Sequence, residues 1–274
     1  MIVALLDLVG KALRVAKQAL RNHAGKPESS GLPREAHIVA HCIRKEEDHT
    51  FTELVDRLGF MPEVCDRLGI HPEALPDPTM FYHSLDRYTM YVWRALLRRD
   101  AQQLRQSGHV ALDSTFFERD QASQYYLQRQ SRTVTTVKAT TQTDTESLAV
   151  LDVHCCIERE HDTKAGPRVV RRNSDDLRAV VADNGFQDWH TEYELPTYDL
   201  DYRVHHRGSK PMAVAHNALN QTNSYTQRWV AETSYSTTKR TQASALRSRF
   251  WYRQFRESVL MFALHNIKKT AKKL

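Results

Sequence analysis

The hydrophobic period of this chain changes at Val110, and that change restricts the fold more than any other feature. Before it, apolar residues recur every three or four positions, as on helices. Leu5, Leu6, Val9, Leu13, Ala16 and Leu20 form one such set, with Lys11, Arg14, Lys17 and Arg21 along the other side. Arg34 to Arg57 reads as helical with a break near Asp48-His49-Thr50. Thr79 to Gln106 reads as one long helix with Phe81, Leu85, Tyr88, Val92 and Leu96 on its apolar side. From Val110 onward short apolar runs replace this pattern. Val110-Ala111-Leu112 ends in Asp113, Val180-Val181-Ala182 ends in Asp183, and Gly185 follows the second as a turn residue. Thr133 to Thr141 and Leu148 to Ile157 read as two further strands, antiparallel across the polar residues 142–147. Tyr202 to Arg207 reads as a strand with a basic end. A helical N-terminal region followed by an α/β domain is expected.

Within the helical part, residues 22–33 carry Gly25, Pro27, Ser29, Ser30, Gly31 and Pro33 and make the best linker. Phe51 to Leu58 and Pro62 to Leu68 are short helices around Gly59. That pair is compatible with a helix-turn-helix and equally with two packed helices. After Lys239, Arg247, Arg249, Arg253 and Arg256 interleave with Phe250, Trp251, Tyr252 and Phe255. The favoured reading is a helix running to about Ile267, with an aromatic core face and a solvated Arg face; the same alternation can grip DNA. Lys268 to Lys273 form a basic tail.

The stretch from Tyr225 to Arg240 contains neither Gly nor Pro, so a helix is permitted. At about 100° per residue, Tyr225, Arg228, Glu232 and Lys239 share a stripe roughly 60° wide. A carboxylate between two cations on one line, with a phenol at one end, suits a site holding a metal ion and a phosphate backbone together. Taken singly, Asp113 and Asp183 are ordinary turn residues. Two strand-end aspartates followed by the stripe containing Glu232 are harder to dismiss.

Composition is consistent with this. The 274 residues allow one sizeable domain and a smaller appendage, and 41% hydrophobic content supports a normal core. The formal charge of +6 and a pI near 9.1 fit nucleic acid as a partner, a property shared with ribosomal and membrane-surface proteins. Cys42, Cys65, Cys155 and Cys156 include no C-x-x-C, which gives neither a disulfide framework nor a zinc ribbon. No signal peptide or membrane-spanning run is present, so a soluble, cytoplasmic protein is expected.

The spacing Tyr-x2-Arg-x3-Glu-x6-Lys, with both aspartates upstream, resembles the DDE transposases of prokaryotic insertion sequences, and most closely their IS-five-type branch as found in haloarchaea. The resemblance is densest from Pro76 to Ile267. It is carried by Ala-Leu-Asp-Ser-Thr at 111–115, Leu-Asp-Val-His-Cys at 151–155, His161-Asp162-Thr163-Lys164, Arg172-Asn173, Ala182-Asp183-Asn184-Gly185 and His216-Asn217-Ala218. The chain departs from the family where Asn184, Gly185 and Phe186 replace a lysine and an aromatic, and where Val204-His205-His206-Arg207 replaces Ile-Lys-His-Arg.

The resemblance implies an RNase H-like mixed sheet flanked by helices, with a catalytic domain over 107–267. The helical region 1–106 would then bind DNA ends, and 268–274 would be the tail. It implies Asp113, Asp183 and Glu232 as catalytic residues and as ligands of two Mg²⁺ (or Mn²⁺) ions. Tyr225, Arg228, Lys239, Arg240 and Arg207 are expected to bind DNA. The partners implied are double-stranded DNA, as inverted repeats and target, and a second copy on DNA, with no membrane. A same-fold nuclease that cuts without joining, and a domesticated or inactive DNA-binding derivative, are the alternatives.

Overall fold

The computed structural model describes residues 4–21, 32–71, 74–104, 106–119, 136–157, 160–222 and 225–271. Most of the 22–33 linker, Thr133 to Thr135 and residues 272–274 of the basic tail lie outside the described residues. The chain divides into two compact units. One comprises 1–103, 240–243 and 256–274; the other comprises 104–239 and 244–255.

The first unit is helical: α1 (Leu5–Leu20), α2 (Arg34–Glu46), α3 (Phe51–Gly59), α4 (Pro62–Leu68), α5 (Pro78–Arg87) and α6 (Met90–Ala101). Local chemistry sets several boundaries. Thr50 Oγ1 accepts from the Glu53 N–H at 3.2 Å, and the Thr50 N–H donates to Glu53 Oε2 at 2.7 Å, a reciprocal capping box at the start of α3. Pro62 occupies the first turn of α4, and Gly69 ends it at φ 66°, a conformation that favours glycine. The single helix expected over Thr79 to Gln106 is two. Tyr88 is extended (φ −90°, ψ 126°), and its buried ring sends its hydroxyl to the Arg34 carbonyl at 2.9 Å. Apolar period alone does not register such a break, because both helices turn their apolar sides to one core.

Two lysines are buried among the described residues of this unit. Lys11 is buried against Gln103 and lies 3.9 Å from Asp100. Burial pushes the Asp100 carboxyl up to about 6, opposed by the Thr270 hydroxyl, which donates to it at 2.9 Å. Lys45 and Glu257 form a fully buried ion pair at 3.0 Å. The last helix supplies the centre of the unit: Val259 to Leu264 are buried on every side, as is Ile267.

The second unit is built on one mixed sheet. Among the described residues it has five strands: β1 (His109–Glu118), β2 (Thr136–Asp144), β3 (Val150–Cys156), β4 (Ala179–Ala182) and β5 (Asp201–Val204), in the order β3-β2-β1-β4-β5. β1, β2 and β3 are antiparallel neighbours; β1, β4 and β5 are parallel. The helices are α7 (Asp162–Arg171), α8 (Trp189–Glu194), α9 (Pro211–Thr222), α10 (Trp229–Gln242) and the start of α11 (Trp251–Ala271). This is the expected α/β architecture.

Four expectations are corrected in this unit. Asp113 is not at a strand end, because antiparallel pairing with β2 carries β1 on to Glu118 opposite Thr136. β5 stops at Val204, where the Asn217 side chain takes over the His206 backbone N–H at 2.8 Å and donates to its carbonyl at 3.0 Å. The helix expected after Lys239 is interrupted: Ala243 turns left-handed at φ 78°, and Leu246 donates its N–H to the Glu118 carbonyl at 2.8 Å, extending the end of β1. The aromatic-core reading of 250–255 is inverted, since Phe250 and Trp251 are exposed while Arg253 is buried with its guanidinium over the Phe250 ring.

Candidate active site

The parallel register of β1 and β4 carries the first part of the site. Leu112 pairs with Ala182, so Asp113 and Asp183 are the next residues on adjacent strands. β4 stops there and β1 continues, which leaves the two carboxylates beside the point where the parallel ladder ends. Each aspartate gives one oxygen to its own backbone. Asp113 Oδ1 accepts the Ser114 N–H at 2.8 Å, and Asp183 Oδ1 accepts the Asn184 N–H at 2.7 Å as the cap of a short 3-10 turn. The turn-capping and functional readings of Asp183 are therefore compatible.

Strand alternation separates the two sides of the sheet. Thr141, opposite Asp113, donates to Tyr235 of α10 at 2.8 Å, so Asp113 belongs to the α10 side. Ser114 points the other way and donates to Asp162 at the start of α7. α10 brings Glu232. Arg228, on the 3-10 turn Tyr225–Arg228 that leads into α10, lies 3.4 Å from Glu232 Oε1 and 3.9 Å from Asp183 Oδ1. The pairing is i,i+4, as the sequence stripe requires, although the first turn is 3-10 rather than α.

Asp113 senses the rest of the group. Burial pushes its carboxyl up to about 6; the Ser114 N–H and Arg228 pull it down, and Glu232 and Asp183 push it up. Three carboxylates and one guanidinium thus share a single electrostatic neighbourhood, with Asp183 and Glu232 open to solvent. Oxygen-only donors with repelling charges suit a hard divalent ion. Among the described residues no three side chains already stand in coordinating positions; Arg228 supplies the countercharge between Asp183 and Glu232.

The other expected residues are placed differently. Arg207 is exposed beside the Asp183 turn, donating from Nε to the Asn184 carbonyl at 3.1 Å. Lys239 is half-buried with its ammonium 5.4 Å from the centre of the Phe117 ring, and burial lowers its pKa against the pull of Glu118. It stands seven residues beyond Glu232, roughly 10 Å along the helix. Arg240 is exposed in the last turn of α10, and Tyr225 begins the 3-10 turn.

Two further residues belong to the surroundings. Asp162 accepts from Ser114 and pairs with Lys138 at 2.8 Å, while Lys138 also donates to the Glu160 carbonyl at 2.7 Å. Asp162 therefore ties β1 and β2 together next to Asp113. His205 feels Asp183 and Arg228, with its pKa lowered chiefly by burial and His216. Asp162 belongs to one of the blocks that carry the resemblance and His205 to a stretch where the chain departs from the family, and nothing in the spacing shows that either lies near the carboxylates.

A model of the transposase DDE domain matches residues 104–267, which is most of the chain. The chain belongs to the DDE transposases. A search of curated proteins gives no match. The transposase is similar in fold to the piggyBac transposase in its cryo-EM synaptic complex with hairpin DNA. The TM-score is 0.52 and the identity 11%, covering 97% of this chain and 72% of that one. The expected RNase H-like type of mixed sheet is thereby established for this transposase.

Close packing behind the turn after Asp183 gives a test of how it is held. A Cβ on Gly166, in the middle of α7, would lie 2.7 Å from the buried Phe186 ring, which ends that turn. Gly166→Ala is expected to cost about 1–3 kcal/mol in denaturant unfolding, because neither ring nor helix can yield cheaply. An unchanged midpoint would show that α7 does not press on the turn.

Proposed function

We propose that this transposase cuts DNA at the ends of an insertion sequence and joins the released ends to target DNA, with Asp113, Asp183 and Glu232 as the catalytic carboxylates. The observation that carries the reading is Arg228 lying between Asp183 and Glu232 while Asp113 responds to all three. Membership of the DDE family supports the same assignment.

In the first step water attacks a phosphodiester at the element's end. The bond from phosphorus to the 3′ oxygen breaks, leaving a free 3′-hydroxyl and a 5′-phosphate. In the second step that hydroxyl attacks a target phosphodiester, whose own 3′ oxygen leaves. The three carboxylates would hold two divalent ions, Mg²⁺ or Mn²⁺, whose Lewis acidity neutralises phosphate charge and favours ionised entering and leaving oxygens. Arg228 and the exposed Arg207 contribute phosphate binding beside the carboxylates. Tyr225, Lys239 and Arg240 complete the proposed DNA contacts along the same stretch of chain. Two element ends must be brought together for joining, so the acting species on DNA is proposed to be a dimer. Among the described residues no helix is long and apolar enough to cross a membrane.

The test is incubation of the full chain with Mg²⁺, duplex DNA flanking its reading frame and a target plasmid. End cleavage followed by joined product is expected. Cleavage without joining would reduce the reading to a nuclease, and neither would remove it. Arg228→Ala is expected to weaken DNA binding and to lower the slope of log K against log salt by about 1. An unchanged slope would mean that Arg228 serves only the carboxylates.

A further inference from the structure

A further cleft lies beside β3, the outermost strand among the described residues. There the end of β3 (His154, Cys156 and the adjoining Ile157), one face of α7 and the start of α11 enclose an open cleft of about 730 Å³. α7 contributes Lys164 and Arg168, both exposed, and α11 contributes Trp251 and Phe255. Trp251 is 46% exposed although it is the largest kind of side chain, and it meets Phe255 edge to face with ring centroids 5.3 Å apart. Glu160, the carboxylate in the wall, is already committed: His154 Nε2 bonds it at 2.8 Å and Arg168 pairs with it at 2.8 Å. Its charge is offset, and Lys164 leaves the cleft with a cationic rim.

We propose that this cleft binds one unpaired nucleotide of a DNA strand, with its base against Trp251 and Phe255 and its phosphate at Lys164 and Arg168. The proposal rests on the DNA reading above and adds to it a preference for an unpaired base. In an intact duplex the base faces are stacked on one another and cannot reach an indole; an unpaired base offers its face. Two aromatic rings beside a cationic rim, in a volume ample for a nucleotide, match that chemistry better than a duplex backbone, which needs cations alone. His154 pairs with Thr140, and Thr140 pairs with Ser114, so the cleft belongs to the α7 side of the sheet, the side from which Asp113 turns away.

The experiment compares two labelled probes by fluorescence anisotropy: a duplex of arbitrary sequence, and the same duplex with one unpaired thymine. The full-length wild type is expected to prefer the bulged probe by about tenfold, the scale of one base stacked on an aromatic ring. Trp251→Ala is expected to lose that preference while keeping its affinity for the plain duplex, and Trp251→Phe, which retains a π-face, to keep most of it. Lys164→Ala with Arg168→Ala, at exposed positions, should weaken binding of the bulged probe and lower its salt slope. Equal binding of both probes by wild type, or a preference that survives in Trp251→Ala, overturns the proposal and leaves the transposase reading standing. Failure to bind either probe overturns both. If Trp251→Ala does not fold, the lysine–arginine variant decides: an unaltered preference and slope for the bulged probe overturn the cleft.

Discussion

Glu232→Gln is expected to bind duplex DNA much as wild type does while losing strand cleavage by on the order of 10³-fold, and Asp113→Asn and Asp183→Asn to behave alike. Each change keeps the shape and removes one negative charge. In the proposed reaction that charge concentrates cations against a phosphate, so its loss is expected to act on the chemical step more than on binding. Stability separates this from damage to the fold. Glu232 is more than half exposed, and its replacement should leave the melting temperature nearly unchanged. Asp113 should respond in the opposite sense to activity. Its folded-state carboxyl is raised from the ordinary 3.8 to about 6, so ionisation there disfavours the folded state. The stability cost sets in as pH rises above about 4 and is complete above about 6. Asp113→Asn, which cannot ionise, should therefore melt higher than wild type at neutral pH in chelator, and match it more nearly below pH 4. Cleavage at the wild-type rate by all three variants would remove these residues from the reaction.

Lys45→Met is expected to destabilise the helical unit by about 3–5 kcal/mol, the largest stability effect predicted for the protein, because it leaves the Glu257 charge buried without its cation. The two side chains meet at 3.0 Å with no solvent exposure, joining α2 to α11 across 212 positions of sequence. The physical content lies in the double variant. Lys45→Met with Glu257→Leu removes both charges and fills the space with apolar groups, and should recover most of the loss. Urea unfolding of the two variants measures the difference. If the double variant is no better than the single one, further polar groups around Glu257 depend on the pair, and the simple account of an isolated buried charge is wrong.

What could be read without coordinates follows from short-range chemistry. A change of hydrophobic period from helical to strand-like separates helices from sheet, and Thr50, Pro62 and Gly69 mark helix ends through their own backbone bonding. Arg228 and Glu232 stand four residues apart, so helical geometry alone makes them neighbours. Asp113 and Asp183 could be picked out because each follows an apolar run, and their partnership with Glu232 came from family resemblance.

Long-range packing decided the rest. Periodicity cannot report that Tyr88 breaks a helix, because the interruption serves a bond to Arg34, 54 positions earlier. It cannot report that Lys11 and Arg253 are buried, since cations on an amphipathic helix read as solvated until a particular carboxylate or aromatic ring is placed against them. Nor can it show that residues 256–271 pack with helices from the opposite end of the chain. The same holds for the candidate site. Three acids spread over 120 residues of sequence acquire a shared electrostatic environment only through the one-residue register of two parallel strands and the seating of α10 across them. A slip of one position would send Asp113 to the face of the sheet where Ser114 now meets Asp162.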